Sequence, residues 1–414
     1  MLLDVFNYTF AAIMIGISVA WALLIKTMID SFRHTPVLDK FDQKPHNSPR
    51  VSVILPARNE ENFIQKCLES LTAQDYPNYE IIAIDDSSED STAKIIAQYA
   101  KNNSNVIHVS AAPKPEGWMG KNWACMEGYK KATGELLLFT DADTKFEKNV
   151  ISLAVSHLES FSLDALTAIP KMVCLDFWTR VALPVLSTFL HTRFSAMRVN
   201  DPTKNTGYFF GSFFIIRKKT YDVVGTHEGV KHEIIEDGAL GKKVKEGGHK
   251  MKMVRADHLI DAVWARDWST LWNGLKRLMI PLFLQNGKIA IGIFFAVLFL
   301  LFMPYVMLAY SIPFVNMAFS SNIIFASAAS SSLLLYSACL IDARSLGIKT
   351  KYAVCSPIGS LVVVCGFLTG LIHAKTNSGV SWRGRQYSMK RSEEHTSELQ
   401  SHHDLVCRLL LEKK

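Results

Sequence analysis

The chain has seven cysteines, and none of the six before Arg391, Cys67, Cys125, Cys174, Cys339, Cys355 and Cys365, falls in a CxxC pair or a Cys/His cluster, so structural zinc is not expected there. There is no G-x-G-x-x-G and no G-x-x-x-x-G-K-[ST]; the phosphate loops of dehydrogenases and P-loop enzymes are therefore absent. No nucleic-acid motif accompanies the formal net charge of +7, and an anionic lipid surface is the expected partner of that excess, with no nucleic acid. No signal-peptide cleavage pattern follows the first apolar stretch and no basic residue precedes it, so a retained anchor is expected there. The thiols that lie outside apolar segments, Cys67, Cys125 and Cys174, suit a reducing, cytoplasmic compartment.

Long apolar runs are abundant, and they cluster at the two ends. Tyr8 to Ile29 is long enough to cross a bilayer and is broken only by Lys26 near its end,. Ile289 to Ile312, Asn322 to Ile341 and Ala353 to Ala374 are three further candidates, the middle one rich in Ser and Ala,. Basic residues in "KTMIDSFRHT" and "DARSLGIKTK" place both segments on the cytoplasmic side,. Beyond Arg391 the sequence "RSEEHTSELQSHHDLVCRLLLEKK" resembles the translation of a DNA sequencing adapter, and is set aside with its His395, His402, His403 and Cys407,.

Between these ends the pattern changes to alternating strands and helices. Val51 to Leu55, Ile81 to Ile84, Val106 to Val109 and Leu136 to Phe139 read as buried strands, with helical spacing at Asn62 to Leu71 and Ser91 to Tyr99,. Such alternation implies parallel strands with right-handed crossovers, hence an α/β fold. In such sheets ligands sit beyond the carboxyl ends of the strands. Acids stand at three of those ends: Glu60 after the first strand, Asp85 and Asp86 after the second, Asp141 and Asp143 after the fourth. In "ELLLFTDADT" the alternation points both final carboxylates the same way. Two hard oxygen ligands so placed suit a divalent cation that also binds phosphate oxygens; the other reading is a polar turn with an Asx cap.

"VSVILPARNEE", "IIAIDDSSEDST", "ATGELLLFTDADT", "GSFFIIRKKTYDVVG" and "IIEDGALGKKVKEGG" occur in order, and with that spacing the region from Arg50 to Gln386 resembles the family 2 glycosyltransferases. "PEGWMGKNWACMEGYKKATGE" and "VSWRGRQY" look most like its membrane-bound branch, which includes diaponeurosporenoate and hopanoid-associated glycosyltransferases. The resemblance implies a GT-A domain, with a Rossmann-like mixed sheet, over residues 50–265, flanked by an N-terminal transmembrane anchor (1–30), an interfacial helix (266–288), two to three C-terminal transmembrane helices (289–375) and a basic tail (376–390). It also implies a nucleotide-sugar donor, a Mg²⁺ or Mn²⁺ ion, and inversion at the anomeric carbon.

Residue roles follow from the same resemblance. Pro56, Ala57, Arg58 and Glu60 match the loop that contacts the nucleotide, with a surface ion pair as the structural alternative for Arg58 and Glu60. Asp85 and Asp86 match the acids that hold base and ribose, unless one only caps the following helix. Asp143 matches the direct metal ligand, and Asp141 the contact to ribose or a metal-bound water. Lys121, with Asn122, stands where the donor diphosphate is held, a point charge suited to phosphate. Trp118 and Trp123 are candidates to stack on a sugar or line the cleft. Glu236 and Asp237 match the acceptor-side acid pair; Asp237 is the expected base and Glu236 orients the acceptor or the loop.

The processive polysaccharide synthases of this family carry QxxRW after the acid pair. Here "GLKRL", Gly274 to Leu278, keeps Arg277 and lacks the Gln and the Trp, which argues against a polymerase. Asp176 to Val199 and Asp267 to Phe283 mix aromatic, aliphatic and basic residues as interfacial helices do. The expected activity is transfer of one sugar to a lipidic or isoprenoid acceptor at the cytoplasmic face of the cell membrane. A polyprenyl-phosphate glycosyltransferase and a catalytically silent membrane scaffold are the alternatives. Lys375, Arg383, Arg385 and Lys390 favour a cytoplasmic tail. That requires Ala353 to Ala374, interrupted by Pro357, Gly359, Gly366 and Gly370, to be re-entrant or packed against the catalytic domain, with those residues lining the acceptor path and Trp382, Arg383 and Arg385 reaching the donor phosphates.

Overall fold

The computed structural model describes residues 2–40, 48–376, 379–382 and 385–388. Helix α1 (Leu2–His34) leads into an α/β run: β1 (Val51–Ala57), α2 (Ile64–Thr72), β2 (Tyr79–Asp85), α3 (Thr92–Asn102), β3 (Val106–Ser110), α4 (Gly120–Tyr129), β4 (Leu136–Phe139), β5 (Thr144–Phe146), α5 (Val150–Ser160), β6 (Ala165–Ile169) and β7 (Lys171–Val173). Then come α6 (Phe177–Arg193), α7 (Ala196–Asn200), β8 (Phe214–Arg217), α8 (Lys218–Val223), α9 (Glu236–Glu246), β9 (Met251–Arg255) and β10 (Ile260–Val263). The chain continues through α10 (Trp268–Gln285), α11 (Gly287–Val297), α12 (Met303–Ser311), α13 (Phe319–Ser345) and α14 (Ser356–Thr376) to a hairpin of β11 (Gly379–Trp382) and β12 (Arg385–Ser388).

Two compact units divide these elements. One is residues 34–173 with 194–263; the other is 1–33, 174–193 and 264–414. The expected domain of residues 50–265 is thus interrupted: α6 belongs to the helical unit.

The α/β unit is a seven-stranded mixed sheet ordered β3-β2-β1-β4-β8-β6-β9. β3, β2, β1 and β4 run parallel, and β8 is antiparallel to both β4 and β6. β-Branched and aliphatic side chains fill both faces because helices cover both. Val53 and Leu55 enter one apolar cluster and Ile54 the other, as the two-residue strand period requires. β5, β10 and β7 form a second, smaller sheet. The acid-bearing strand ends that the sequence singled out are the carboxyl ends of β1, β2 and β4, adjacent in the sheet.

One buried acid serves the fold alone. Glu80 of β2 is 3% exposed and accepts hydrogen bonds from Ser52 Oγ (2.6 Å), Thr133 N and Oγ1 (both 2.8 Å) and Arg50 Nη2 (2.9 Å). Burial by itself would raise its pKa, but these donors outweigh it and bring it down to about 2,. A carboxylate depressed in the folded state stabilises above its unfolded pKa, and that stabilisation is lost as pH falls through the folded value. Between about pH 4.5 and 2 the unfolding midpoint of the protein should therefore drop. The same acid melt in Glu80→Gln should start from a lower midpoint at neutral pH and fall less over that interval.

In the helical unit, four helical segments are long and apolar enough to cross a membrane: Leu2–His34, Gly287–Phe314, Phe319–Ser345 and Thr350–Thr376. The second widens to π turns over Leu298–Phe302, and the Trp21 indole of α1 donates to the Leu300 carbonyl there (3.1 Å),. Asp342 of α13, 1% exposed, accepts from Ser187 and His191 of α6, the latter at 2.9 Å. A carboxylate at such a place persists only with partners of this kind.

Helices α6 and α10 are amphipathic. They bury Ala182, Val185, Leu271, Leu275 and Met279 while leaving Trp178 and Trp268 partly exposed and in ring contact with each other. α14 corrects the expectation of irregular backbone. It is a regular helix throughout, and its glycines serve close packing: a β-carbon on Gly359 would lie 2.3 Å from the Val181 carbonyl oxygen, and one on Gly370 2.8 Å from that of Lys276. Small residues let helices approach in this way where apolar burial cannot drive association.

Candidate active site

β4 ends at Phe139, and the chain turns sharply before β5. Across the turn burial alternates. Ala142 and Thr144 are 3% and 1% exposed, whereas Asp141 and Asp143 are both partly exposed. Both acids thus remain partly open to solvent beyond the end of β4. Thr140 fixes the turn: its N–H donates to Ile54 O of β1, and its hydroxyl to Ser212 O (2.8 Å) in the segment before β8.

That segment brings a second set of groups to the place. A β-carbon built on Gly211 would stand 2.8 Å from Asp237 Oδ2, 3.0 Å from Lys121 Nζ and 3.3 Å from Asp141 Oδ2. A side chain at this point would push these charged side-chain ends aside. Three charged groups from three elements converge on it: Lys121 from the first turn of α4, Asp141 from the turn after β4, and Asp237 from the first turn of α9. Lys121 Nζ pairs with Asp141 Oδ1 at 2.8 Å and with Glu236 Oε1 at 2.6 Å. Glu236 is buried, 5% exposed.

The charges shape one another. Burial would favour a neutral amine at Lys121, but Asp141, Glu236 and Asp237 hold its pKa well above the ordinary lysine value. Burial and the neighbouring Glu236 charge push Asp237 up to about 7, against smaller lowering effects of Lys121 and of the Gly238 N–H that donates to it,. A carboxyl poised near neutrality is suited to moving a proton.

The nucleotide-side candidates lie at the ends of β1 and β2, where Ala57 and Asp85 are paired in register. Glu60, Asp85 and Asp86 are all buried. Asp85 Oδ1 accepts from Ser88 N (3.2 Å), which holds the loop after β2. At the start of α3 Asp90 Oδ1 accepts from Thr92 N (2.9 Å). Arg58 donates to the carbonyls of Asp86 (2.7 Å) and Ser87 (2.6 Å) and to Glu89 (3.2 Å), clasping the two loops together. Trp123 is 9% exposed, and its indole donates to Ala112 O (2.8 Å) with Trp118 packed edge-on at 5.2 Å. It pins the loop before α4. Arg383 and the side chain of Arg385 lie outside the described residues.

Tyr208 was not singled out in the sequence. Its ring lies 4.6 Å from that of Phe194 and 5.4 Å from that of Phe210, and a β-carbon on Gly238 would touch its edge at 3.1 Å. It thus lies against the first turn of α9. Burial, with the charges of Asp237 and Glu236, raises its pKa, so the phenol keeps its proton. The available signal was small residues, Gly207, Gly238 and Gly241, where the two segments approach.

Residues 52–225 match the family model described as glycosyl transferase family 2. The chain carries a family 2 glycosyltransferase domain. Among curated proteins it is similar to 4,4'-diaponeurosporenoate glycosyltransferase of Staphylococcus aureus (strain USA300), 27% identical over 212 residues, which are 47% of this chain and 51% of that protein. The chain thus spans about half the length of the curated relatives it matches. Among solved structures it is similar to the mannosyltransferase PcManGT from Pyrobaculum calidifontis in complex with GDP-Man and Mn²⁺, with TM-score 0.51 and 16% identity over 88% of this chain and 99% of that one. That likeness is one of fold: the seven-stranded mixed sheet is like that of GT-A glycosyltransferases.

Among the described residues no three His, Cys, Asp or Glu side chains gather as a metal-ligand cluster. The donor set present still fits a Mg²⁺ or Mn²⁺ ion that takes its remaining ligands from phosphate and water. Asp141 and Asp143, two residues apart, are both partly exposed, and Asp141 already attracts a cation, the Lys121 ammonium.

Proposed function

We propose that the chain transfers a single sugar from a UDP- or GDP-linked donor to a lipidic or isoprenoid acceptor at the cytoplasmic face of the cell membrane, with inversion. The observation that carries this reading is the meeting of Asp141, Lys121 and Asp237 at Gly211. It brings a donor-side acid, a phosphate-seeking ammonium and a proton-accepting acid within reach of one reacting centre.

In this reading Pro56, Ala57, Arg58, Glu60, Asp85 and Asp86 form the nucleotide end, and Asp141 and Asp143 would hold a divalent cation. The cation supplies Lewis-acid charge to the leaving group. Asp237 takes the proton from the acceptor oxygen as that oxygen attacks the anomeric carbon. The bond from that carbon to the diphosphate oxygen breaks, and the nucleoside diphosphate leaves with the electron pair, its charge facing Lys121. One displacement inverts the centre. Glu236 holds Lys121 in place, and Tyr208, kept protonated, offers a donor beside the base.

The curated relative is named for 4,4'-diaponeurosporenoate, and four helical segments long and apolar enough to cross a membrane support an apolar acceptor. Membranes containing the protein, incubated with labelled UDP- and GDP-sugars and extracted for lipids, should yield labelled lipid from one donor class, and EDTA should suppress it. No labelled lipid from any donor would favour the silent scaffold. Label released by mild acid, as from a glycosyl phosphate, would favour the polyprenyl-phosphate reading.

A further inference from the structure

The Lys121 ammonium lies 2.8 Å from the carboxylate of Asp141 and 2.6 Å from that of Glu236, and its side chain is only 19% exposed. These acids come from the turn after β4 and from α9, with Asp237 a third at the same point. Three carboxylates so close would repel strongly in a partly closed site, and one ammonium offsets most of that. The carboxylate is thereby neutralised before any metal reaches it. A divalent cation binding Asp141 directly would have to take the place of Lys121 there, and the ammonium, left with Glu236, would lose one of its two acceptors in an enclosed place,. A nucleoside diphosphate brings a replacement, since phosphate oxygens are good partners for lysine.

We infer that Lys121 makes cation binding conditional on nucleotide: it is the resident cation of the donor-free site, passes to the diphosphate when that arrives, and frees Asp141 for the metal. This rests on the functional reading above. Metal and nucleotide then bind with positive cooperativity, and the coupling is reciprocal: whatever factor nucleotide adds to metal affinity, metal adds to nucleotide affinity. The device also keeps the acids from collecting free cations that lead to no reaction.

The test uses the full-length, detergent-solubilised protein and Mn²⁺ as probe. Bound Mn²⁺ is read by electron paramagnetic resonance with and without UDP or GDP, and the nucleotide's own Mn²⁺ affinity is subtracted from a protein-free control. The wild type should bind Mn²⁺ weakly alone and at least about tenfold more tightly with nucleotide, a typical allosteric coupling. Lys121→Met should bind Mn²⁺ alone at least about tenfold more tightly than the wild type, with the nucleotide-induced gain reduced, while Lys121→Arg, which keeps the charge, should remain weak. Circular dichroism shows whether each variant is folded, and Lys121→Gln replaces the methionine variant if that one is not. Nucleotide-free Mn²⁺ affinity unchanged or weakened in the folded neutral variant overturns the inference, as does a wild type whose Mn²⁺ affinity ignores nucleotide. If nucleotide binds in either of those cases, the proposed function survives; if neither UDP nor GDP binds the wild type at all, that reading falls with it.

Discussion

Asp143→Asn should lower sugar transfer on the order of a thousandfold or more, with the protein still inserted and folded. The estimate follows from the several kcal/mol of transition-state charge stabilisation that a bound cation supplies, each 1.4 kcal/mol being a factor of ten in rate. Asp143 is partly exposed and follows the buried Ala142, so an isosteric amide disturbs the core little. The expected signature is loss of turnover together with loss of the metal-dependent part of nucleotide affinity. Asp141→Asn should also be severe for a second reason, since it removes one of the two partners of Lys121. Turnover by Asp143→Asn near that of the wild type would remove the cation from that carboxylate and leave Asp143 a turn residue.

The strand that carries these acids was legible to the residue, Leu136 to Phe139, because four apolar residues between turn signals leave little choice. The other early strands were legible in place and one to three residues short at their ends. Val51 to Leu55, for example, runs on to Ala57, since hydrogen bonding to β2 continues after the apolar pattern stops. Two kinds of fact were not legible. One is the excursion of α6: periodicity marks an amphipathic helix but not which core it joins, and Ala182 and Val185 pack in the helical unit. The other is partnership at long range. Lys121 and Glu236 are far apart in sequence and meet only because α4 and α9 both begin at the sheet's carboxyl edge; a motif names each residue without saying that they pair. Arg58 shows the same limit, since its position in the first loop does not reveal that it holds the carbonyls of Asp86 and Ser87.

Asp237→Asn separates the acceptor classes. With a hydroxyl acceptor, transfer should fall by roughly two to four powers of ten, the usual worth of a general base, with donor affinity little changed. The pH profile gives an independent check. Asp237 acts when ionised, and burial beside Glu236 raises its pKa to about 7, so the rate should climb with pH through that region and flatten above it. The variant should lose this acid limb. Lys121→Met, which removes a charge that favours the ionised form, should move the limb to higher pH in whatever activity remains, an effect that a merely structural lysine would not produce. An acceptor that is already ionised, a phosphate or carboxylate, needs no proton removed: Asp237→Asn would then keep most of its activity, and the limb near 7 would be absent from the wild type as well. If donor binding collapses in Asp237→Asn instead, the acid holds the start of α9 through the Gly238 N–H, and the base must be sought elsewhere at the same mouth.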